Sequence, residues 1–258
     1  MKISSWNVNS VRARLDNIKN YIEISEPDIL FLQEIKTEEK NFPFDFFKDL
    51  KFECHVNGQK AYNGVSILSK KKLINIETNI VKDNLNQARY ISSDIKFGKN
   101  LIKLVNVYVP NGNPINTSKY DYKLNWLSNF TKLIEKIKKN YEFLIIGGDF
   151  NIIPEDIDVH DPNRYKNDAL FLPEVREYYK KFIQMGLIDI FREKHPNTIE
   201  YSFWDYFANS FKRNNGMRID HFFITEAIRK KVKSISINKK PRSKIKPSDH
   251  TPIELIIT

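Results

Sequence analysis

Short apolar runs, each about as long as one strand, recur along this chain with amphipathic stretches between them. The segments 28–32 and 143–146 are dominated by Ile, Leu and Phe, which predicts buried strands. Between Val11 and Ile22 the apolar residues recur near the helical period, which predicts a helix that begins at Ser10. A chain that alternates such strands and helices folds as a layered α/β or α+β sandwich.

The same reasoning predicts the remaining elements. Further helices are expected at 118–138 and at 173–185, where Pro173 marks the start and Gly186 the end of the second one. Further strands are expected at 2–7, 52–57, 64–69, 73–78, 89–95, 101–109, 218–225, 232–237 and 252–257. Polar loops without periodicity are expected at 110–117, 155–172, 205–216 and 239–250. No repeat or low-complexity linker interrupts the pattern, so we expect a single domain over residues 1–258.

Polar residues stand just after, within or just before the segments predicted to be buried strands. Sites in layered α/β proteins are commonly built at strand ends, so these side chains are expected to converge. They are Asn7, Glu34, Tyr108, Asp149, Asn151, Asp220, Asp249 and His250.

Each of these residues also has a purely structural interpretation. Asp149 after a strand is typical of a turn, Asn7 is a candidate helix N-cap, and Tyr108 is by default a core aromatic with a hydrated hydroxyl. Asp220 is the hardest to dismiss, because a carboxylate among apolar neighbours is costly to bury unless it is paired. Its partner is either His250 or, in a structural ion pair, Arg218.

The donor types in this set restrict the chemistry. Carboxylate and amide oxygens favour hard cations such as Mg²⁺ or Mn²⁺. The sequence has no HExxH or CxxC motif for zinc, no Walker A motif and no G-x-S-x-G motif. An Asp–His pair beside an acidic metal site suits the attack of water on a phosphoester.

The charge and the cysteine content limit the partners and the compartment. The chain has 42 Lys and Arg residues against 32 Asp and Glu, a formal net charge of +10. That excess favours a polyanionic partner, although most of it is lysine, which an AT-rich coding sequence would produce without selection for binding. The single cysteine, Cys54, suits a reducing compartment. Without a signal peptide or an apolar run of about 18 residues, we expect a cytoplasmic protein with no membrane partner.

Ten short motifs stand in order along the chain. They are SWNVN at 5–9, LQEIK at 32–36, NGQK at 57–60, NVYVPNG at 106–112, GDFN at 148–151, FLPEVR at 171–176, GLID at 186–189, YSFWDY at 201–206, GMRID at 216–220 and PSDHTP at 247–252. In this the sequence resembles the bacterial exonuclease III / AP endonuclease family of the endonuclease–exonuclease–phosphatase superfamily. The resemblance spans essentially the whole chain.

The resemblance implies a DNase I-like α/β fold, a four-layer sandwich of two packed β-sheets flanked by helices. It implies Mg²⁺- or Mn²⁺-dependent hydrolysis of the phosphodiester 5′ to abasic sites in double-stranded DNA, with 3′→5′ exonuclease activity and trimming of blocked 3′ ends. We expect a monomer that repairs nucleoid DNA in the bacterial cytoplasm.

The resemblance also assigns roles. Glu34 would be the principal metal ligand with Asn7 beside it, and Asp249 would lie at the metal or at a second metal position. Asp149 would activate or position the attacking water, and Asn151 would orient it, both close to the metal.

Three further residues would act on the phosphate. Tyr108 would contact it, and His250, held by Asp220, would stabilise the pentacovalent phosphorus. His250 is also a candidate metal ligand. Which group is the base, and whether one or two metals act, stay open.

Substrate contacts are expected from Arg12, Lys60 and Asn111, and from a pocket for the abasic sugar. The residues expected to line that pocket are Phe203, Trp204, Met217 and Ile219. Some relatives have Trp where this chain has Met217. The alternative is that all four residues belong to the hydrophobic core. For Trp204 the core and the pocket are equally well supported.

Two other functions fit part of the pattern. A phosphatase or phosphodiesterase of the same superfamily that acts on a lipid or inositol phosphate would share the catalytic residues, but NGQK, NVYVPN and the 203–220 segment follow the DNA-cleaving branch. A non-catalytic nucleic-acid-binding module would explain the positive charge, but its acidic residues would repel phosphates unless a metal lay between them.

Overall fold

The computed structural model describes residues 1–258. Twelve strands form two six-stranded sheets. In chain order the strands are β1 (Lys2–Asn7), β2 (Ile29–Gln33), β3 (Glu53–Asn57), β4 (Val65–Ser69), β5 (Leu73–Thr78), β6 (Tyr90–Phe97), β7 (Asn100–Tyr108), β8 (Phe143–Asp149), β9 (Ile188–Asp189), β10 (Asp220–Ile224), β11 (Val232–Ile237) and β12 (Ile253–Ile257). Sheet A has the order β11-β12-β1-β2-β4-β3, and sheet B has the order β5-β6-β7-β8-β10-β9.

Seven α-helices and several short 3-10 turns connect these strands. The helices are α1 (Leu15–Ser25), α2 (Phe44–Asp49), α3 (Ser118–Asn140), α4 (Pro162–Tyr165), α5 (Pro173–Gln184), α6 (Ile190–Lys194) and α7 (Glu226–Arg229). None of them is long and apolar enough to cross a membrane.

Three apolar cores define the four layers. The central core lies between the two sheets and includes Phe31 of β2 and Phe222 of β10. On the outer side of sheet A, α1 buries Ile18 against the sheet. On the outer side of sheet B, α3 and α5 pack together and bury Phe130 and Phe182. The predicted four-layer sandwich of two sheets flanked by helices is confirmed.

Most predicted strands and helices lie within one to three residues of the observed ones. The predicted helix at Ser10 is wrong in its start: Asn9 and Ser10 have φ of 44° and 88°, a left-handed backbone that no α-helix contains. The chain instead passes through a 3-10 turn at Arg12–Arg14 before α1. The short α2, α4, α6, α7 and β9 were not predicted, because elements of two to six residues carry too few periods to detect. Of these, α4 lies within the loop expected at 155–172.

The strand pairing explains why the polar residues meet. β1 runs parallel to β2 and β7 runs parallel to β8, so their carboxyl ends lie at one edge of the sandwich. β10 runs antiparallel to β8 with Asp220 opposite Asp149, so its first residue lies at the same edge. Gly148 makes this possible: its φ is 150°, and a Cβ there would lie 2.0 Å from the Val107 carbonyl oxygen.

Candidate active site

A cleft of about 310 Å³ opens at this edge of the two sheets. Most of the predicted site residues line it. Those that line the cleft are Glu34, Tyr108, Asn111, Asp149, Asn151, Phe203, Met217, Ile219, Asp249 and His250. Asn7 and Asp220 lie just beneath, bonded to the lining residues.

His250 lies between two carboxylates at the floor of the cleft. Its Nδ1 is 2.8 Å from Asp220 Oδ2, and its Nε2 is 3.7 Å from Asp149 Oδ2. Asp220 Oδ2 also accepts a hydrogen bond of 2.6 Å from the hydroxyl of Ser202. Asp220, Asp149 and His250 are all almost fully buried. The alternative partner of Asp220, Arg218, is bonded elsewhere.

The burial and these contacts set the protonation of the pair. Burial disfavours the imidazolium, but the carboxylates of Asp220 and Asp149 outweigh it and raise the pKa of His250 to about 10. Burial also raises the pKa of Asp149, to about 7, although His250 partly offsets the effect. His250 is therefore a cation at neutral pH whose Nδ1–H donates to Asp220. Since histidine coordinates metals only when it is neutral, the catalytic and ligand assignments of His250 exclude each other.

Glu34 lines the cleft, and Asn7 holds it from beneath. Asn7 Nδ2 donates to Glu34 Oε1 at 2.9 Å and to Asp149 Oδ2 at 2.9 Å. Asn7 is not the N-cap of a helix, because Val11 and Arg14 hold those positions before the 3-10 turn and α1. Glu34 Oε2 pairs with the ammonium of Lys36 at 2.8 Å. Burial raises the pKa of Glu34, but Lys36 and Asn7 reverse the effect and hold it below its usual value.

Asn151 and Asn111 also line the cleft. Asn111 Nδ2 donates to Asn151 Oδ1 at 3.2 Å, and Asn151 Nδ2 donates to the Val109 carbonyl at 2.9 Å. The backbone N–H of Asn151 donates to Asp149 Oδ1 at 2.9 Å. The left-handed backbone of Asn151, with φ of 47°, is a conformation that the surrounding structure must hold in place and that clusters at functional sites.

Tyr108 presents its ring and hydroxyl to the cleft. Burial and then the carboxylate of Glu34 raise the pKa of Tyr108 well above its ordinary value, so the phenol stays protonated and can donate. The guanidinium of Arg89 stacks on the ring with its Cζ 4.7 Å from the centroid.

The apolar end of the cleft is formed by Phe203, Met217 and Ile219. Phe203 is bridged by β-type pairing to Met217 and to His250, and its ring contacts the imidazole edge-to-face at 4.9 Å between centroids. Trp204, which was expected among these residues, lies outside the cleft. It is fully buried and its indole N–H donates to Asn214 Oδ1 at 3.2 Å, so the assignment of Trp204 to the pocket is wrong and it belongs to the core.

The structure places three other predicted residues at the margin. Asp249 lines the cleft, and its Oδ1 accepts from Asn9 Nδ2 at 3.2 Å. Arg12 and Lys60 are exposed and do not line the cleft.

Three residues of the site were not predicted from the sequence. Lys36 and Asn9 bridge its two sides, since Lys36 Nζ donates to Asn9 Oδ1 at 2.6 Å. Ser202 fixes Asp220 from below. All three stand within motifs noted above. Lys36 is two residues from Glu34, Asn9 is two residues from Asn7, and Ser202 is two residues from Trp204. Their position in these motifs was the only sign in the sequence that they belong to the site.

A second buried charged group lies next to the cleft, and we call it the Arg218 cluster. Arg218 Nε donates to Asp158 Oδ1 at 2.6 Å and Nη1 to Asp189 Oδ2 at 2.7 Å. Arg192 also donates to Asp158, and His221 Nδ1 is 2.9 Å from Arg218 Nη1. This cluster fixes the strand that carries Asp220 without contacting Asp220 itself.

The acidic group of the cleft has the composition of a metal site. Glu34, Asp149 and His250 each offer a ligand atom within 4.8 Å of the others. Together with Asp220 they form what we call the cleft cluster. A cation near carboxylates and an imidazolium donor is an arrangement that can stabilise a phosphoester undergoing attack by water.

The sequence matches the model of the endonuclease/exonuclease/phosphatase family over residues 4–250. It is 32% identical to exodeoxyribonuclease III of Haemophilus influenzae, over 98% of each chain.

Solved structures agree with this. An AP endonuclease from Archaeoglobus fulgidus superposes with a TM-score of 0.94 at 34% identity, covering 100% of this chain and 99% of that one. A variant of the 3′ phosphatase NExo from Neisseria, bound to a product DNA hairpin, gives a TM-score of 0.95 at 31% identity with the same coverage.

Proposed function

The chain belongs to the endonuclease/exonuclease/phosphatase family, and we propose that it is a metal-dependent DNA repair nuclease. Residues 1–258 act as one catalytic domain that hydrolyses the phosphodiester 5′ to an abasic site in duplex DNA and trims 3′ ends. The observation that carries the proposal is the buried imidazolium of His250, held by Asp220 and aimed past Asp149 into a cleft walled by Glu34.

The cleft fits a hard divalent cation. Glu34 Oε1 and Asp149 Oδ2 converge on one hydrogen-bond donor, Asn7 Nδ2. The three carboxylates of the cleft cluster outnumber the two cations beside them, His250 and Lys36. Carboxylate and amide oxygens are the donors that Mg²⁺ and Mn²⁺ prefer, so Glu34, Asp149 and Asn7 would hold the ion, with Asp249 at a second position. A bound ion of this kind neutralises phosphate charge and favours a nucleophilic water.

Asp149 and Asn151 prepare the nucleophile. The raised pKa of Asp149, about 7, suits a group that accepts a proton near neutral pH. Asn151 lies beside it, and its backbone N–H fixes one oxygen of Asp149. We assign to Asp149 the activation or positioning of the water and to Asn151 its orientation.

His250 and Tyr108 act on the phosphate. The Nδ1–H of His250 is held by Asp220, so the Nε2–H is free to donate to a phosphate oxygen as that oxygen gains charge. Tyr108, protonated because its pKa is raised, donates to another oxygen. Neither group has to reorganise during the reaction, which is what makes such donors effective.

The apolar end of the cleft supplies the selectivity for a missing base. Phe203, Met217 and Ile219 offer an apolar surface beside His250, which suits a sugar turned out of the duplex. Asn111 contacts the same nucleotide. Around the cleft, exposed basic side chains contact the DNA phosphates. We assign this role to Arg12, Lys60, Lys212, Arg213 and Lys246.

The first prediction tests this function directly. The protein is incubated with two end-labelled duplexes, one with a single abasic analogue and one intact with a recessed 3′ end, with Mg²⁺ and with EDTA. We expect incision 5′ to the analogue and shortening of the recessed strand in Mg²⁺, and neither in EDTA.

Two results would contradict the proposal. Full activity in excess EDTA would exclude the metal. Hydrolysis of a phospholipid or inositol phosphate with both duplexes left intact would assign the chain to another branch of the family. Circular dichroism in EDTA is the control that the protein stays folded.

A further inference from the structure

A lysine lies fully buried beneath the cleft and takes no part in the mechanism above. Lys123 of α3 has no exposed surface, and no carboxylate lies within salt-bridge distance of it. Its ammonium donates to two backbone carbonyls, that of Asn151 at 2.6 Å and that of Asn111 at 2.9 Å. A buried charge is costly unless its protons are bonded, and an apolar side chain would fill the same space without that cost.

The two carbonyls belong to the two loops that carry the amides of the cleft. Asn111 follows β7 and Asn151 follows β8, and their side chains are bonded to each other. The left-handed backbone of Asn151 is therefore held at both ends, by Asp149 at its N–H and by Lys123 at its carbonyl. Without the ammonium, the carbonyl of Asn151 would be left buried without this strong partner, and the loop would be free to turn.

The stem of Lys123 is fitted to the same loops. Gly112 has φ of 88°, and a Cβ there would lie 2.5 Å from Lys123 Cδ and 3.3 Å from the Cβ of Ala169. The loops at 110–113, 149–152 and 168–170 therefore meet around one side chain. Such packing fixes the rotamer of Lys123, which fixes the direction of its hydrogen bonds.

We propose that Lys123 is a positioning residue of the nuclease: it holds the Asn111 and Asn151 loops in the geometry that orients the attacking water. The inference rests on the proposed function. Through Lys123, helix α3 on the outer side of sheet B would support the residues that orient the attacking water. Because misplacement of a catalytic group by about 1 Å is sufficient to lower a rate by roughly 10²-fold, the loss of this support is expected to affect kcat.

The test compares Lys123→Met, which keeps the length of the stem and removes the ammonium, with Lys132→Met at an exposed position of the same helix. We expect kcat on the abasic duplex to fall roughly 10- to 100-fold in Lys123→Met, with a smaller change in KM, because Asn111 makes only one of the contacts to the DNA and the phosphates are bound elsewhere. Circular dichroism gives the folded fraction of each variant, and each rate is divided by that fraction. Lys132→Met should match wild type in both constants.

A double-mutant cycle with Asn151→Ala tests the route of the effect. If Lys123 acts through Asn151, its substitution should cost much less in the Asn151→Ala background than in wild type. If Lys123→Met does not fold, Lys123→Gln, whose amide can donate to one of the carbonyls, replaces it with the same expected split.

The outcomes separate the two proposals. Wild-type protein that cleaves neither duplex overturns the proposed function. Active wild type with kcat per folded molecule unchanged in the Lys123 variant, or with strictly additive effects in the cycle, overturns the positioning role alone and leaves Lys123 as a packing residue.

Discussion

Two clusters of buried charge meet at the start of β10 and differ in how their charges are balanced. In the Arg218 cluster two carboxylates, Asp158 and Asp189, face two guanidinium groups and share their hydrogen bonds. In the cleft cluster three carboxylates face two cations, the His250 imidazolium and the Lys36 ammonium at Glu34, and Asp220 Oδ1 has no hydrogen-bond partner. The first cluster is neutral by itself. The second leaves a negative excess that faces an open cleft.

The histidines of the two clusters, His221 and His250, also differ in whether their ring nitrogens are fully bonded. Arg218 can only donate, so Nδ1 of His221 accepts and its Nε2–H donates to the Ile152 carbonyl. His221 therefore has no free donor. His250 is cationic and has one proton directed away from its partner. A buried charge serves structure when opposite charges within its cluster balance it, and it serves chemistry when one donor is left for a ligand.

The largest effect that would test this contrast is on stability. Arg218→Met should leave Asp189 as an uncompensated buried carboxylate and Asp158 with Arg192 as its only cation, which destabilises by about 3–5 kcal/mol. We expect a lower Tm and a lower midpoint of urea unfolding, while kcat per folded molecule stays near wild type. A loss of kcat without a loss of stability would show that the two clusters are not separate in function. Arg192→Met, at a less buried partner of Asp158, is the milder control.

The sequence identified the cleft cluster better than the Arg218 cluster, for a physical reason. Glu34, Asp149 and Asp220 stand at the ends of apolar runs, and strand pairing alone brings such positions together. Asp158 and Asp189 lie in or beside short irregular segments, so nothing in the local pattern shows that they meet Arg218. A buried carboxylate needs a partner, and for Asp220 the residues left two candidates, His250 and Arg218. The family resemblance implied His250, which is the partner in the structure.

The failures have equally local causes. Trp204 follows Phe203 directly, and adjacent residues of an extended segment point to opposite sides. Phe203 therefore faces the cleft, and Trp204 cannot. The start of α1 was misplaced because hydrophobic periodicity carries no information on the left-handed backbone of Asn9 and Ser10. Lys123 is indistinguishable in the sequence from the many exposed lysines.

The next effect separates the two histidines. His250→Ala should lower kcat by roughly 10²-fold, the scale for loss of one preorganised donor, with DNA binding and Tm changed little. His221→Ala should do the reverse, because it removes one buried partner of Arg218 Nη1 and the side-chain donor to the Ile152 carbonyl, while it removes nothing from the cleft. Steady-state kinetics and thermal unfolding of both variants are the measurement. Similar losses of kcat in both would mean that His250 acts only by packing.

The smallest effect concerns Asp220, which supports the charge of His250 rather than touching the substrate. Asp220 contributes to raising the pKa of His250 to about 10, so Asp220→Asn should lower that pKa, and the imidazolium should lose its proton at lower pH. The alkaline limb of the kcat profile should therefore move to lower pH. The acid limb should move in the same direction, because the charge of Asp220 also contributes to raising the pKa of Asp149. Asp189→Asn is the matched control from the Arg218 cluster. Burial raises the pKa of Asp189 but Arg218 outweighs it and holds it far below its usual range, so this carboxylate is ionised throughout the assay. Its substitution should therefore lower the Tm and leave both limbs in place. If the alkaline limb does not move in Asp220→Asn, His250 is not the proton donor, and the cleft cluster does not differ in this respect from the Arg218 cluster.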